Sequence, residues 1–234
     1  SIRQGQHGIL VHCFAGCQNE DVLRAISRTR PVFNSPAPKF QPSPSSANAR
    51  RIWDQGREIC ETLAEAYLKS RNLPLDLRDI RYHHKCPFGR KPNAVFRPAL
   101  LVAVRDRLEI MAIQRIALGS KGLCHKGKYM LGRPGMGAWS PSFKGDTLGL
   151  AESMEDAVAY TRIKGIPCWS TLGAERLALV RIPDGVKTVV IAEDNNRAGR
   201  LGALAAIEAY ATKDRTVLRD PPPRKAGDWA EVNE

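Results

Sequence analysis

Three carboxylates stand where apolar runs of the chain end. Glu152 closes TLGLAE, Asp194 follows the run 189–192, and Asp228 lies just beyond RTVLRD. If those runs are parallel strands of one sheet, all three acids reach the same edge, because sites in open α/β sheets gather at the carboxyl ends of the strands. Carboxylates that converge without basic partners need a hard divalent cation. Mg²⁺ (or Mn²⁺) suits them, since it takes one or two carboxylates and completes its shell with substrate phosphate oxygens. A single Asp after a strand serves equally well as a helix cap. Three at strand ends make a candidate site.

The elements that would place these acids are legible from Thr147 onward. TLGLAE, MEDAVAYTRIKG, IPCWSTLG, ERLALVRIP, VKTVVIAED, RAGRLGALAAIEAYATK and RTVLRD alternate short apolar runs with helical spacing. That order predicts a parallel sheet with right-handed crossovers. Upstream, ARRIWDQGREICETLAEAYLKSR predicts one helix carrying Ile52, Ile59, Leu63, Ala66 and Tyr67, ended by residues 72–74. Residues 99–106 and 108–118 read as an antiparallel hairpin in an α+β subdomain. Residues 31–49, PVFNSPAPKFQPSPSSANA, hold five prolines and four serines and predict an extended linker.

The chain has 234 residues, 43% of them hydrophobic, with 36 Lys and Arg against 24 Asp and Glu and a net charge of +12. That composition allows a packed core and excludes a collagen-like, coiled-coil or wholly disordered chain. The charge is uneven. Residues 1–150 hold 24 basic and 11 acidic side chains, a net +13, whereas 151–234 hold 12 and 13, a net −1. An excess confined to one half is the footprint of a surface that neutralises phosphates, although basic residues also serve solubility. No apolar run approaches the roughly 18 residues of a membrane span, so a soluble, cytoplasmic protein with no membrane partner is expected. Six cysteines scattered through a chain of this length argue for reduced thiols or a metal site over a disulfide framework. The first residue is Ser1, and a piece of a longer polypeptide is expected.

The series LGLAESMEDAVAY, CWSTLGAERL, VVIAEDNNRAG and GDWAEV resembles the Toprim domain, the fold shared by bacterial-type primases, topoisomerases and some nucleases. It is most similar to the version in primases of phages and plasmids. The resemblance implies an α/β fold: a Rossmann-like parallel sheet with flanking helices over 147–234, preceded by a basic α+β subdomain over 50–146. It implies that Glu152 handles a proton and that an Asp-x-Asp pair with a further Asp holds Mg²⁺. Carried over, those positions are Asp194, Asn196 and Asp228, with Glu152 beside them. Asn196 replaces the second carboxylate of the pair; it offers a neutral oxygen, and the lost charge weakens affinity for the metal. Glu193 should point the other way by strand alternation, and Ser153 stands where the family usually has Gly.

The resemblance continues upstream. WDQGREICETLAEAYLKSRNL, LRDIRYHH, IQRIAL and KGKYMLGRPGMGAW are similar to the subdomain that precedes Toprim in mobile-element primases, whose basic residues hold template and incoming nucleotide. It implies such roles for Arg71, Arg81, Arg115, Lys126, Lys128 and Arg133. Gly132, Gly135 and Gly137 bracket a turn that could bring N–H groups to phosphate. Trp53, Tyr82, Tyr129 and Trp139 serve either base stacking or the core. Residues 122–128, GLCHKGK, satisfy GxxxxGK, but Tyr129 follows and no strand-loop-helix surrounds them, so a P-loop and its helicase or ATPase activity are not expected.

HGILVHCFAGCQNEDVLRAI, with Cys13 and Cys17, resembles the second half of a primase-type zinc ribbon over residues 1–30. It implies Zn²⁺ in the full-length protein, with one Cys and one His supplied from upstream; His7 and His12 are the nearest substitutes. Cys124 with His125, and His83 with His84 and Cys86, lack paired spacing and read as structural or surface residues. Taken together, the resemblance implies a primase core that makes short RNA primers on single-stranded DNA from ribonucleoside triphosphates, beside a replicative helicase. Two alternatives stay open: a Toprim nuclease or topoisomerase-like strand cleaver, and a single-strand-binding module that has lost turnover through Asn196.

Overall fold

The computed structural model describes residues 2–5, 8–11, 44–89, 92–123 and 125–233. Cys13, Cys17, His7, His12 and Cys124 lie outside the described residues, as do the zinc-ribbon reading and most of the linker. The chain divides into two units, Ser1–Gln41 and Pro42–Glu234. In the first, β1 (Ile2–Gly5) pairs antiparallel with β2 (Gly8–Val11).

In the second unit, helix α1 (Pro44–Asp54) begins inside the stretch expected to be extended. Proline fits the start of a helix, where its fixed φ is already helical and its missing N–H is not needed. The single helix expected over 49–71 is two. Helix α2 (Leu63–Ser70) starts afresh at Thr62, whose hydroxyl accepts the Ala64 N–H at 3.2 Å. Between them the chain runs against a sheet. A Cβ on Gly56 would lie 2.9 Å from the Arg81 Cβ, and Arg57 exchanges two 2.8 Å backbone hydrogen bonds with Tyr82. Ile59 packs on the core from this turn, not from a helix.

That sheet is antiparallel: β3 (Ile80–Phe88), β4 (Val95–Asp106), β5 (Glu109–Leu118) and β6 (His125–Gly132), in that order. The expected hairpin is its centre, β4 with β5. Cross-strand register puts Tyr82, Leu100, Ile116 and Lys128 in one row and Arg81, Leu101, Arg115 and Tyr129 in the next, so the two rows point to opposite faces. Helix α1 covers the second face with Ala49, Ile52 and Trp53. The first face packs on Tyr67 and Leu68 of α2 and on Met154, Ala157 and Tyr160 of the following sheet's helix.

The parallel sheet predicted from Thr147 is present: β7 (Thr147–Ala151), β8 (Cys168–Ser170), β9 (Thr188–Ala192) and β10 (Thr216–Arg219), ordered β10-β9-β7-β8. Helix α3 (Met154–Lys164) packs on one face, α4 (Arg197–Tyr210) on the other, and the short α5 (Trp229–Asn233) lies against α3. The segment between the two sheets ties them together: Ala138 bridges to Arg105 of β4 and Trp139 to Ser170 of β8.

One predicted helix is missing. ERLALVRIP forms only a single 3₁₀ turn, Ala174–Arg176, because its backbone is bonded sideways. The Tyr210 hydroxyl accepts the Val180 N–H at 2.7 Å and donates to the Val180 carbonyl at 3.0 Å, and the Arg181 N–H donates to the Met136 carbonyl at 2.8 Å. Tyr210→Phe leaves a buried N–H without an acceptor. It is expected to cost about 1–3 kcal/mol, read in thermal unfolding as a Tm lower by about 2 °C or more; an unchanged Tm would refute the role. Among the described residues no helix is long and apolar enough to cross a membrane.

Candidate functional site

Strand order fixes where a crevice opens. From β7 the chain crosses outward over α3 to β8, then returns past β7 to β9 and leaves over α4 on the other face. Adjacent strands whose crossovers depart to opposite faces leave a gap at their carboxyl ends. Glu152 follows β7 and Asp194 follows β9, so both stand in that gap. The two meet: the Asp194 N–H donates to Glu152 Oε1 at 3.4 Å. Gly199, in the first turn of α4, forms the floor, where a Cβ would lie 2.5 Å from the Asp194 carbonyl oxygen and 2.6 Å from Glu152 Oε1.

The other two expected ligands also cap helices. Asn196 is the N-cap of α4: its Oδ1 accepts the Gly199 N–H at 2.9 Å, which leaves its Nδ2 to donate to Asp194 Oδ2 at 3.4 Å. Asp228 accepts the Glu231 N–H on Oδ1 at 2.8 Å. The neutral oxygen expected of Asn196 is therefore turned into its helix. Glu193 points away, as alternation requires, and is held by Arg219 through bonds of 2.8 and 3.0 Å.

A further acid completes the cluster. Asp156 lies one helical turn after Glu152; Ser153, the N-cap of α3, donates to its Oδ2 and accepts its N–H, while the Ala230 N–H reaches its Oδ1 at 2.9 Å. The Ser-x-x-Asp spacing of a capping box was the available signal. Burial pushes the Asp156 carboxyl up to about 6, with the Asp228 charge adding to it. Burial also raises Glu152. Asp194 goes furthest, pushed up to about 8 by burial and then by the charges of Asp156, Glu152 and Asp228.

Among the described residues, no three His, Cys, Asp or Glu side chains are gathered as ready ligands of one ion. The Glu152–Asp194 pair suits a cation that needs only one or two carboxylates: Asp194 Oδ1 is buried with no hydrogen-bond partner, and its neighbours are acids.

The basic residues sort by sheet face. Lys128, in the row facing the parallel sheet, pairs with Glu155 at 2.9 Å, and its charge reaches the Asp194 carboxyl and favours ionisation there. Lys126 and Arg133 are exposed on β6 and just past it. Arg71 ends α2, where its charge acts on Tyr67 and His125. Arg81 and Arg115 differ from the expectation. Their row points to the face under α1, where Arg81 lies 4.7 Å over the Trp53 ring and donates to its carbonyl, and the buried Arg115 lies 5.0 Å over Phe88 and donates to the Pro87 carbonyl. Trp53, Tyr82 and Trp139 are core residues, whereas Tyr129 is exposed edge-on to Phe88. In the glycine turn the Gly137 N–H closes onto the Pro134 carbonyl, and the Gly135 and Gly137 carbonyls receive Arg176. Lys128 of GLCHKGK lies within a strand, as rejection of a P-loop requires.

Residues 43–140 match a family described as a domain of unknown function, DUF7146, and residues 147–233 match the Toprim domain. No curated protein matches the chain by sequence. Among solved structures it is similar to a DNA primase domain from Pseudomonas aeruginosa, with 16% identity and a TM-score of 0.59 over 81% of this chain and 74% of that one. It is similar to a DnaG primase catalytic domain bound to single-stranded DNA, with 18% identity and a TM-score of 0.53 over 80% of this chain and 75% of that one. It is also similar to the primase fragment of the bacteriophage T7 primase-helicase protein, with 12% identity and a TM-score of 0.50 over 90% and 79%. At these identities the likeness is one of fold.

Proposed function

We propose that residues 50–234 are the catalytic core of a DNA primase of the mobile-element type, which makes short RNA primers on single-stranded DNA. The observation that carries this is the Glu152–Asp194 pair in the crevice of a Toprim sheet, with Lys128 of the antiparallel sheet close enough for its charge to act on Asp194. The template runs over the basic subdomain, and the triphosphate of a ribonucleotide enters between Lys128 and the carboxylates. Glu152, whose carboxyl burial raises above its ordinary range, is suited to taking up a proton at the reacting oxygen. Asp194 and Glu152 would hold Mg²⁺ or Mn²⁺, which neutralises charge on the transferred phosphoryl group when bound. Support for the template and for a helicase partner comes from similar solved proteins, one bound to single-stranded DNA and one cut from a primase-helicase. A cytoplasmic location and Zn²⁺ in the full-length protein belong to the same proposal.

A template-directed assay with labelled ribonucleotides and Mg²⁺ tests it. Short primers are expected, and Glu152→Gln is expected to abolish them. Nicked DNA would instead identify a strand cleaver. The second alternative, a binding module without turnover, draws on the turned-away Asn196 oxygen; it predicts salt-sensitive binding to single strands and no product.

A further inference from the structure

The Lys128–Glu155 pair joins the last strand of the antiparallel sheet to the first turn of α3, next to the parallel sheet's carboxylates. Glu155 is in the first turn of α3, three residues after Glu152, and is 1% exposed. A carboxylate so buried needs partners, and it has two: Tyr67 of α2 donates to its Oε1 at 2.6 Å, and Lys128 of β6 to its Oε2 at 2.9 Å. The ammonium and the hydroxyl hold the Glu155 carboxyl well below its ordinary range despite complete burial. Ion pairs of this kind add little stability over apolar side chains of the same volume, so the informative feature is their geometry.

Lys128 is a quarter exposed, and an ammonium has three donors, of which Glu155 takes one. That bond sets the ammonium against the first turn of α3, three residues along from Glu152, and its charge acts on Asp194. A lysine stem is otherwise flexible, and fixing it in advance removes the ordering cost from the step that uses it. Three separate elements, α2, α3 and β6, meet to fix one ammonium.

We propose that Glu155, braced by Tyr67, is a positioning residue that holds the Lys128 ammonium at the mouth of the Glu152–Asp194 crevice, where it receives the triphosphate of an incoming ribonucleotide. This rests on the primase reading above for the identity of the substrate.

The test compares the whole chain with Glu155→Gln, Lys128→Met and the double variant, measuring ATP binding in Mg²⁺ by calorimetry and KM and kcat for ribonucleotide in primer synthesis. Gln keeps the Tyr67 hydrogen bond, and Met keeps the lysine's length without its charge. Each single variant is expected to weaken ATP binding and raise KM by about tenfold, with kcat changed less than about threefold, and the double variant is expected to bind no worse than Lys128→Met. A lower Tm in Glu155→Gln with unchanged ATP affinity would reduce the residue to a structural one and overturn the proposal, as would losses that multiply in the double variant. If the wild-type chain makes primers but these variants bind ATP as it does, the positioning role fails alone. If it makes no primers, the primase reading fails, and the ATP titration still decides whether Glu155 acts through Lys128.

Discussion

Asp194→Asn is expected to reduce primer synthesis by roughly 10²–10³-fold or more and, at the same time, to unfold at a higher temperature than the parent chain at pH 8. The two effects have one cause. Burial and the charges of Asp156, Glu152 and Asp228 push the Asp194 carboxyl up to about 8, whereas in the unfolded chain it titrates near 3.9. Below that lower value the group is protonated in both states and carries no penalty. As pH rises the unfolded state ionises first, so folded stability falls between about pH 4 and pH 8. Asparagine has the same shape and never ionises, so the Tm advantage of the variant should be absent near pH 3, grow across that window and level off above it. Comparing each pH with the parent cancels the opposite slope of the paired acids Glu155 and Asp106, which are lowered. Mg²⁺ added at pH 8 should raise the Tm of the parent and leave the variant where it was. A variant less stable than the parent at pH 8, or stabilised equally by Mg²⁺, would show that Asp194 is not the strained acid of the site.

Glu152 and Asp194 were legible because each stands within two residues of the end of a short apolar run, and a strand that ends in the core must turn there. Runs alternating with helical segments force parallel pairing, so the carboxyl ends had to share an edge. What the sequence hid is pairing and register. An Asp beyond a strand looks the same in sequence whether or not it caps a helix, and Asp228 and Asn196 each cap the helix that begins just after them. Arg81 and Arg115 carry the charge of a phosphate site but share a row with Leu101, facing α1. Which face a row takes depends on bulges between His83 and Cys86, between Val104 and Arg105, and between Ile116 and Leu118, and a one-residue slip reverses it. The break at Gly56 and the loss of the helix after β8 follow from contacts to Tyr82 and Tyr210, distant in sequence. Glu155 was hidden for the same reason: Tyr67, Lys128 and Glu155 become one cluster only when three elements close on each other.

Gly199→Ala is the smallest change that reaches the site, and its expected effect is large. In an open helix the change would favour folding by about 1 kcal/mol, since glycine is the poorer helix former. Here the new methyl would sit 2.5 Å from the Asp194 carbonyl oxygen, 2.6 Å from Glu152 Oε1 and 2.9 Å from the Asp194 nitrogen. Two of those atoms are backbone at the end of β9, so the methyl cannot be accommodated by a side chain swinging away. Overpacking of this kind costs about 1–3 kcal/mol. It should outweigh the helical gain and lower Tm by a few degrees. The effect on chemistry should be greater than the effect on stability, because the displaced atoms are those that set the distance between Glu152 and Asp194. A shift on the order of 1 Å at reacting groups costs about 10²-fold in rate. Gly185→Ala provides the comparison: a Cβ there meets nothing within 4 Å, so neither Tm nor primer yield should fall. Equal primer yield from Gly199→Ala and Gly185→Ala would mean that the floor of the crevice yields without moving the pair, and that the contact between Glu152 and the Asp194 backbone does not govern the reaction.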